Sequence, residues 1–293
     1  KTDYNPQIVC QALSNRVIVN NQEELDAYAV DFGLENGQYR GLKINFNLSG
    51  TDIEIHSPCS IIIDSNRSIT ASNLCLDGKK GVNSNSAAHA ANIAGKYFIL
   101  SENEEVIIGG GSTISASDLL MRGQKLVKIG TGVQAVIAND INMSSLGGFS
   151  SSDTQILENS RITAKNLTLS GERNVRLGTG VVVNLSGNLS MNSYGGYTGS
   201  STEILQGSTV TAQNLSMTGQ RTIHVGVNVN LSVANDITLS NTGGFSGSDV
   251  LILGGSVVNA KNILMSGERT VKIASDVDMN ITNTIVMRSY GNF

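Results

Sequence analysis

Basic side chains recur at a 48-residue interval in the second half of the chain, in two series. The first basic column comprises Lys125, Arg173, Arg221 and Arg269. The second basic column lies three residues later and comprises Lys128, Arg176, His224 and Lys272. Of the 12 Lys and Arg residues in residues 111–293, seven belong to these columns. A linear polyanion could bind such a column through many weak contacts at once, so the columns predict a binding surface for an acidic glycan.

Two other roles for these bases remain open. A solvated edge needs charge to keep the protein soluble, and the bases could serve only that purpose. The first basic column could also pair with polar residues that directly precede it in the sequence, which are Gln124, Glu172, Gln220 and Glu268.

Aromatic residues form a third series with the same 48-residue interval, each after a Gly-Gly or Gly-Asn pair: Phe149, Tyr197, Phe245 and Phe293. Exposed rings would stack against sugars, whereas the alternative is an aromatic stack inside the core, which the Phe-rich composition favours. Tyr194 and Tyr290 lie three residues before Tyr197 and Phe293, where the other units have Leu146 and Thr242. We predict that Tyr194 and Tyr290 are exposed and contribute to ligand binding.

The residues that usually perform catalysis do not form a recognisable constellation. The three histidines, His56, His89 and His224, lie far apart in the sequence. Glu172 and Glu268 share a repeat position but are separated by four coils, about 19 Å at strand spacing, which is too far for a carboxylate pair. An active site would interrupt the repeat, and the repeat is nearly unbroken from 112 to 293. We therefore expect no enzyme activity, no cofactor and no metal site.

Cysteine and charge content indicate an environment and exclude some partners. Cys10 and Cys59 are the expected disulfide pair in an oxidising compartment, which leaves Cys75 over; three buried thiols are the alternative. The net charge of −4 argues against nucleic-acid binding. No apolar stretch approaches the roughly 20 residues that span a bilayer, so we expect no membrane insertion. The chain starts at Lys1 without a visible signal peptide, which we interpret as a processed start.

A 48-residue repeat organises these series. Its first half reads STISASDLLMRGQKLVKIG, SRITAKNLTLSGERNVRLG, STVTAQNLSMTGQRTIHVG and SVVNAKNILMSGERTVKIA, starting at Ser112, Ser160, Ser208 and Ser256. Within a unit, Asn166-Leu167-Thr168-Leu169 resembles Asn188-Leu189-Ser190-Met191, so each unit holds two coils of about two dozen residues. Three short runs per coil alternate apolar and polar residues, which is typical of strands with one buried face. The pattern predicts an all-β parallel β-helix with three strands per coil and a double-coil repeat.

Two further repeat positions predict the corners of each coil. Gly123, Gly171, Gly219 and Gly267 mark a corner that we expect to need unusual backbone angles. Asp118, Asn166, Asn214 and Asn262 mark another, where we expect left-handed backbone and hydrogen bonds between stacked side chains.

With this repeat, the chain resembles the pectin-lyase-like superfamily of right-handed parallel β-helices, and among them secreted bacterial adhesin-type proteins. The segment 16–28, an extended run followed by a short helical pattern, resembles the cap that covers the first coil in that superfamily. The fold hosts lyases, hydrolases, adhesins and tailspikes, so the resemblance leaves function open. The Arg-x-Pro-x-x-Arg setting of its lyases is absent, because the two prolines, Pro6 and Pro58, lie outside the repeats. None of the three histidines lies in the Gly-His-Gly segment of its hydrolases.

These observations give one expected organisation and one expected function. Residues 1–66 should form the cap and first coils, and residues 67–293 the regular repeats of one continuous domain. We expect a secreted or cell-surface structural, adhesin-like β-helix that binds surface glycans or a protein partner. The alternative is a polysaccharide lyase or glycoside hydrolase of the same fold, or a degenerate carbohydrate-binding relative. Since no cap follows the last unit, we expect truncation, or self-association end to end or in another oligomer.

Overall fold

The computed structural model describes residues 9–83, 87–147 and 151–291, which form a parallel β-solenoid of about 12 turns. One short helix lies near the N-terminus, and the rest of the regular structure consists of strands. Successive coils pair in parallel through all three of their strands. The predicted all-β, three-strand solenoid is therefore confirmed.

The elements before the regular repeats are β1 Val17–Val19, α1 Gln22–Asp31, β2 Leu42–Ile44, β3 Leu48–Ser57, β4 Ile61–Ile63, β5 Arg67–Gly78, β6 His89–Ile93, β7 Lys96–Leu100 and β8 Val106–Ile108. The next four coils contain β9 Thr113–Ala116, β10 Asp118–Gly123, β11 Val127–Ile129, β12 Gln134–Ile137, β13 Asp140–Ser145, β14 Thr154–Ile156, β15 Arg161–Ala164, β16 Asn166–Gly171, β17 Asn174–Leu177, β18 Val182–Leu185, β19 Asn188–Ser193 and β20 Ser201–Ile204. The last coils contain β21 Thr209–Ala212, β22 Asn214–Gly219, β23 Thr222–Val225, β24 Asn230–Val233, β25 Asp236–Asn241, β26 Val250–Ile252, β27 Val257–Gly267, β28 Val271–Ile273 and β29 Asp278–Ser289.

The core consists of apolar columns that run the length of the solenoid. Leu167 pairs with Leu189, and Leu189 pairs with Leu215, so the two halves of each 48-residue unit stack directly. All three leucine side chains are buried, while their neighbours along each strand, such as Asn166 and Thr168, face outward. One coil has no other face against which to bury these side chains, so the core exists only because coils stack.

The repeated glycines at the ends of β10, β16, β22 and β27 are needed for space rather than for backbone angle. None of Gly123, Gly171, Gly219 and Gly267 has a positive φ, so the predicted unusual backbone is wrong. A Cβ at Gly219 would lie 2.5 Å from Oγ of Ser193 in the preceding coil, which is a steric clash. Left-handed backbone occurs instead at the turn before β12, β15 and β18, at Gly132, Asn159 and Gly180.

The Asn and Asp residues at the starts of these strands form a hydrogen-bonded ladder. Nδ2 of Asn214 donates to Oδ1 of Asn188 over 2.9 Å, and Nδ2 of Asn166 donates to Oδ1 of Asp140 over 2.9 Å. The predicted side-chain stacking is present. The predicted left-handed conformation is wrong, because Asp118, Asn166, Asn214 and Asn262 have ordinary strand geometry.

A cap covers the N-terminal end of the solenoid. Helix α1 starts at the N-cap Asn21, whose side chain accepts from the backbone N–H of Glu24, and it buries Leu25 and Tyr28 against the first coils. Cys10 and Cys59 form a disulfide that ties the segment before β1 to the loop before β4. Cys75 is a half-buried free thiol on β5, where burial raises its pKa to about 11.

The opposite end of the solenoid is open within the described residues. Strand β29 pairs with β27 on one side, and no described strand pairs with its other side. Ile285 and Met287 continue the buried columns of Ile263 and Met265 but are themselves about half exposed. No helix in the part of the chain that the structure describes is long and apolar enough to cross a membrane.

Candidate functional site

The second basic column is interleaved with residues from the intervening coils. On the face formed by β11, β14, β17, β20 and β23, the register places Gln155 between Lys128 and Arg176, and Glu203 between Arg176 and His224. Glu203 binds Arg176 through N–O distances of 2.7 and 2.8 Å and lies 3.8 Å from Nδ1 of His224. Burial lowers the pKa of His224, which Glu203 opposes only in part.

This face therefore carries charges of both signs rather than a continuous positive stripe. Asp153 and Asp249 lie on the same face, beside Gln155 and before Leu251. Comparing the sequence with itself at the 48-residue interval aligns only every second coil, so it shows the bases and misses the carboxylates between them. Binding of a polyanion by Lys128, Arg176, His224 and Lys272 remains a prediction, and the geometry gives it little support.

The first basic column stabilises loops. Nζ of Lys125 lies 2.8 Å from Oε2 of Glu104. Arg221 donates to the carbonyls of Gly196 and Ser246, both over 3.1 Å, and its guanidinium carbon lies 4.4 Å from the ring centroid of Phe245. These partners differ from the neighbouring Gln and Glu residues proposed above. Nη2 of Arg173 approaches the equivalent loop at Gly199, whereas Arg269 is exposed.

The loops that follow β19 and β25 present aromatic side chains at the solenoid surface. Tyr197 is 42% exposed and Phe245 is 39% exposed, so the predicted burial of this column in the core is wrong for these two members. Phe149 and Phe293 lie outside the described residues. A Cβ on Gly196 would lie 2.9 Å from Cζ of Phe245, which means that the ring lies directly on the glycine backbone of the preceding aromatic loop.

Tyr194 lies at the base of the same loop and is held at both ends. Its backbone N–H donates to the carbonyl of Gly171 over 3.0 Å, and its hydroxyl donates to the carbonyl of Ser145 over 2.8 Å. Tyr194 is 38% exposed, and Tyr290, in the equivalent position of the last coil, is 58% exposed. Burial and the nearby carboxylate of Glu172 raise the pKa of Tyr194, so its hydroxyl stays a hydrogen-bond donor. We call the exposed residues of this corner the aromatic ridge: Tyr194, Tyr197, Phe245 and Tyr290.

A flat surface of short uncharged side chains borders the aromatic ridge. It comprises the two outward-facing columns next to the ridge on β13, β16, β19, β22 and β25, and we call it the polar floor. Its ten residues are Asn142, Ser144, Thr168, Ser170, Ser190, Asn192, Ser216, Thr218, Thr238 and Ser240. All are Ser, Thr or Asn, so the surface offers hydrogen-bond donors and acceptors without charge. Sequence reasoning missed it because these positions vary among the three residue types.

Near the cap, one histidine contacts two acidic side chains. A groove of about 890 Å³ between α1 and β3 contains His56, whose Nε2 lies 2.7 Å from Glu54 and whose Nδ1 lies 3.1 Å from Asp77. Both ring nitrogens of His56 are thus engaged by carboxylates. Across the described residues, no group of three or more His, Cys, Asp or Glu side chains could hold a metal ion.

The fold and the surface together define a parallel β-solenoid with an aromatic ridge along one corner. The chain matches no known family model, and no significant similarity connects it to a curated protein or to a solved structure. The fold class therefore rests on the structure itself, and the resemblance to the pectin-lyase-like superfamily stays at the level of the repeat pattern.

Proposed function

We propose that this protein is a rigid, secreted or cell-surface, adhesin-like β-solenoid that binds surface glycans along the aromatic ridge and the adjoining polar floor. The observation that carries the proposal is the placement of Tyr194, Tyr197 and Phe245 on one corner, each more than a third exposed although solvent exposure of an aromatic ring is unfavourable. Other apolar side chains of the repeats are exposed as well, such as Val136 and Val227. Three exposed aromatic rings on one corner are a larger apolar patch than such scattered residues, and a patch of this kind indicates a surface for a ligand.

The chemistry of the two surfaces fits a sugar polymer. Aromatic faces bind the apolar faces of pyranose rings, and short hydroxyl and amide side chains exchange hydrogen bonds with sugar hydroxyls. Because the polar floor has no charged residue, it offers nothing specific to a sulfated or carboxylated chain. A neutral glycan therefore fits better than the polyanion suggested by the basic columns.

The repeat also supplies several equivalent contacts. The aromatic loops recur every two coils, about 10 Å apart, so a glycan lying along the solenoid axis can contact successive rings. Each contact is weak, but linked contacts raise the overall affinity because later ones form intramolecularly. Two features limit the conformational entropy that the protein loses on binding. Arg221 fixes the aromatic loops, and two hydrogen bonds fix Tyr194.

A location outside the cytoplasm belongs to the same proposal. The Cys10–Cys59 disulfide is the kind of crosslink that persists in oxidising compartments. A non-catalytic, pectin-lyase-like adhesin remains our expectation for the class of protein. Binding of a surface protein by the same ridge is the alternative outcome of the test below.

The test is a binding screen against immobilised neutral and acidic polysaccharides, such as mannan, xylan, β-glucan, hyaluronan and heparin. The wild-type protein should bind at least one neutral glycan, and the triple variant Tyr194→Ala/Tyr197→Ala/Phe245→Ala should lose that binding. Tyr39→Ala is the control, because Tyr39 is a partly exposed aromatic residue in the cap, away from both the ridge and the polar floor. Binding to no glycan, or equal binding by the triple variant, would contradict the proposal.

Polysaccharide cleavage is a second candidate, favoured by the groove beside α1. His56 between Glu54 and Asp77 is the only place among the described residues where a histidine contacts two carboxylates. Cleavage would release new reducing ends or unsaturated products from the polysaccharides of the screen. If such products appear with the wild-type protein and disappear with His56→Ala, the groove rather than the ridge is the principal site.

A further inference from the structure

A glutamate lies beside each of the two tyrosines of the ridge that occupy equivalent positions. The carbonyl oxygen of Gly171 accepts from the N–H of Tyr194, and the carbonyl oxygen of Gly267 accepts from the N–H of Tyr290, so Glu172 and Glu268 precede these tyrosines by one coil. In the other two units the same positions pair Gln124 with Leu146 and Gln220 with Thr242. The two units that have the tyrosine, 96 residues apart, therefore have glutamate at the preceding position. The two units that lack the tyrosine have glutamine there.

The Glu172–Tyr194 pair has a specific geometry. Because the Tyr194 hydroxyl reaches the carbonyl of Ser145, two coils earlier, its side chain extends along the solenoid axis past the level of Glu172. Oε2 of Glu172 is shut off from solvent and accepts no hydrogen bond from the described residues. Glu172 forms no ion pair among those residues either, and the guanidinium of the adjacent Arg173 lies near Gly199 in the next loop.

A carboxylate oxygen in this state is unfavourable for folding. Buried acceptors normally have a hydrogen-bond donor, and a charged one without a donor costs the most. Such unsatisfied groups persist in functional sites, where the ligand supplies the missing partner. Rotation about the last side-chain bond exchanges the two oxygens of Glu172, so the oxygen that is shut off from solvent need not stay the same one.

We propose that Glu172 with Tyr194, and Glu268 with Tyr290, are two equivalent saccharide subsites. In each, the sugar ring lies on the tyrosine and donates hydrogen bonds from adjacent positions to the carboxylate. This proposal rests on the glycan-binding function proposed above and adds its specificity: the sugar must carry donors, as hydroxyl or ammonium groups, on the edge that faces the glutamate. The subsites are four coils apart, about 19 Å, so one extended chain can occupy both.

The experiment measures binding of three oligosaccharides of equal length by calorimetry: a glucose hexamer, a glucosamine hexamer and an N-acetylglucosamine hexamer, all β-linked. The glucosamine and glucose arms distinguish an ammonium donor from hydroxyl donors. The N-acetyl arm replaces one donor-rich edge by a bulky amide. Each is compared with the double variant Glu172→Gln/Glu268→Gln and with Tyr194→Ala/Tyr290→Ala. The double variant Glu23→Gln/Asp26→Asn, at two exposed positions of α1, is the control of the same charge change.

We expect the glutamine variant to bind the glucose or glucosamine hexamer about tenfold more weakly and to melt at an equal or higher temperature than the wild type. A glutamate with a purely structural role would instead lower the melting temperature when replaced. If the glutamine variant binds as the wild type does while the tyrosine variant loses binding, the subsite proposal is wrong and the glycan-binding function stands. If the wild type binds none of the three hexamers and no polysaccharide of the screen, both proposals are wrong.

Discussion

The hydroxyl of Tyr194 donates a 2.8 Å hydrogen bond to the backbone carbonyl of Ser145, 49 residues earlier in the chain. The bond spans two coils and fixes the ring against the outside of the solenoid. An exposed aromatic ring that is fixed in this way loses little conformational entropy when a ligand binds to it. The bond therefore links the regular stacking of the coils to the binding surface that we propose.

Replacing Tyr194 by Phe should separate the ring from its anchor. Tyr194→Phe keeps the ring and removes the hydrogen bond to Ser145, so we expect glycan affinity to fall severalfold. Tyr194→Ala removes the ring as well and should weaken binding by a further factor, since stacking and its buried area are lost. Calorimetric titration with a neutral glycan checks the order. Equal affinity of the Phe variant and the wild type would show that the anchor contributes nothing to binding.

The interleaved register makes Leu189 as important to the core as the residues of the 48-residue ladder. Leu189 is buried between Leu167 and Leu215, so Leu189→Ala leaves a cavity that rigid coils cannot close. We expect a loss of about 2–5 kcal/mol in the free energy of unfolding, measured by urea denaturation. Ser190→Ala, at the next, outward-facing position, should change it by less than about 0.5 kcal/mol. Similar losses for both variants would contradict the inward assignment.

His89 should make the stability of the first coils sensitive to acid. It is buried, with Nε2 3.2 Å from the Tyr97 hydroxyl, and burial lowers its pKa from 6.5 to about 4. Between these values the unfolded chain binds a proton that the folded chain does not, so stability falls as the pH is lowered from 6.5 to about 4 and then levels off. The loss amounts to roughly 3 kcal/mol.

The measurement compares urea denaturation of the wild type and of His89→Gln at neutral pH and near pH 4. Glutamine does not titrate, so the stability difference between the two proteins should shift by roughly 3 kcal/mol in favour of the variant on acidification. A difference that stays constant with pH would show that His89 is protonated in the folded protein as readily as in the unfolded chain.

Glu203 should weaken the binding of an acidic glycan to the second basic column. Glu203→Gln removes the carboxylate that binds Arg176 and lies near His224, and it gives the face an excess of positive charge. We expect elution from a heparin column at higher salt than the wild type, with stability changed by less than about 1 kcal/mol because the pair is partly exposed. Glu23→Gln makes the same charge change on α1 and should not alter retention as much. Strong retention of the wild type itself would favour the polyanion hypothesis over the ridge.

The repeat predicted the fold because apolar residues recur at its period. The contacts between surface side chains depend instead on which coils become neighbours. Leu167 and Leu215 are recognisable as core residues from their 48-residue interval alone. The same interval hides Glu203, because it belongs to the intervening coil and the equivalent positions hold Gln155 and Leu251, which carry no charge. The Phe-rich composition of its column favours a core position for Phe245, yet its loop extends outward and Arg221 and Gly196 hold the ring at the surface. Loop direction of this kind is not encoded in alternation.

The most direct test of glycan binding by the ridge is to locate a bound glycan on the protein. Hydrogen exchange measured by mass spectrometry, with and without a neutral polysaccharide that the screen identifies, reports protection segment by segment. We predict protection in 194–200 and 242–248 and along the polar floor strands β19 and β22, with no change in β12 or β18 on the adjoining face. Protection confined to α1 and β3, or to the face of Arg176 and Glu203, would contradict the account.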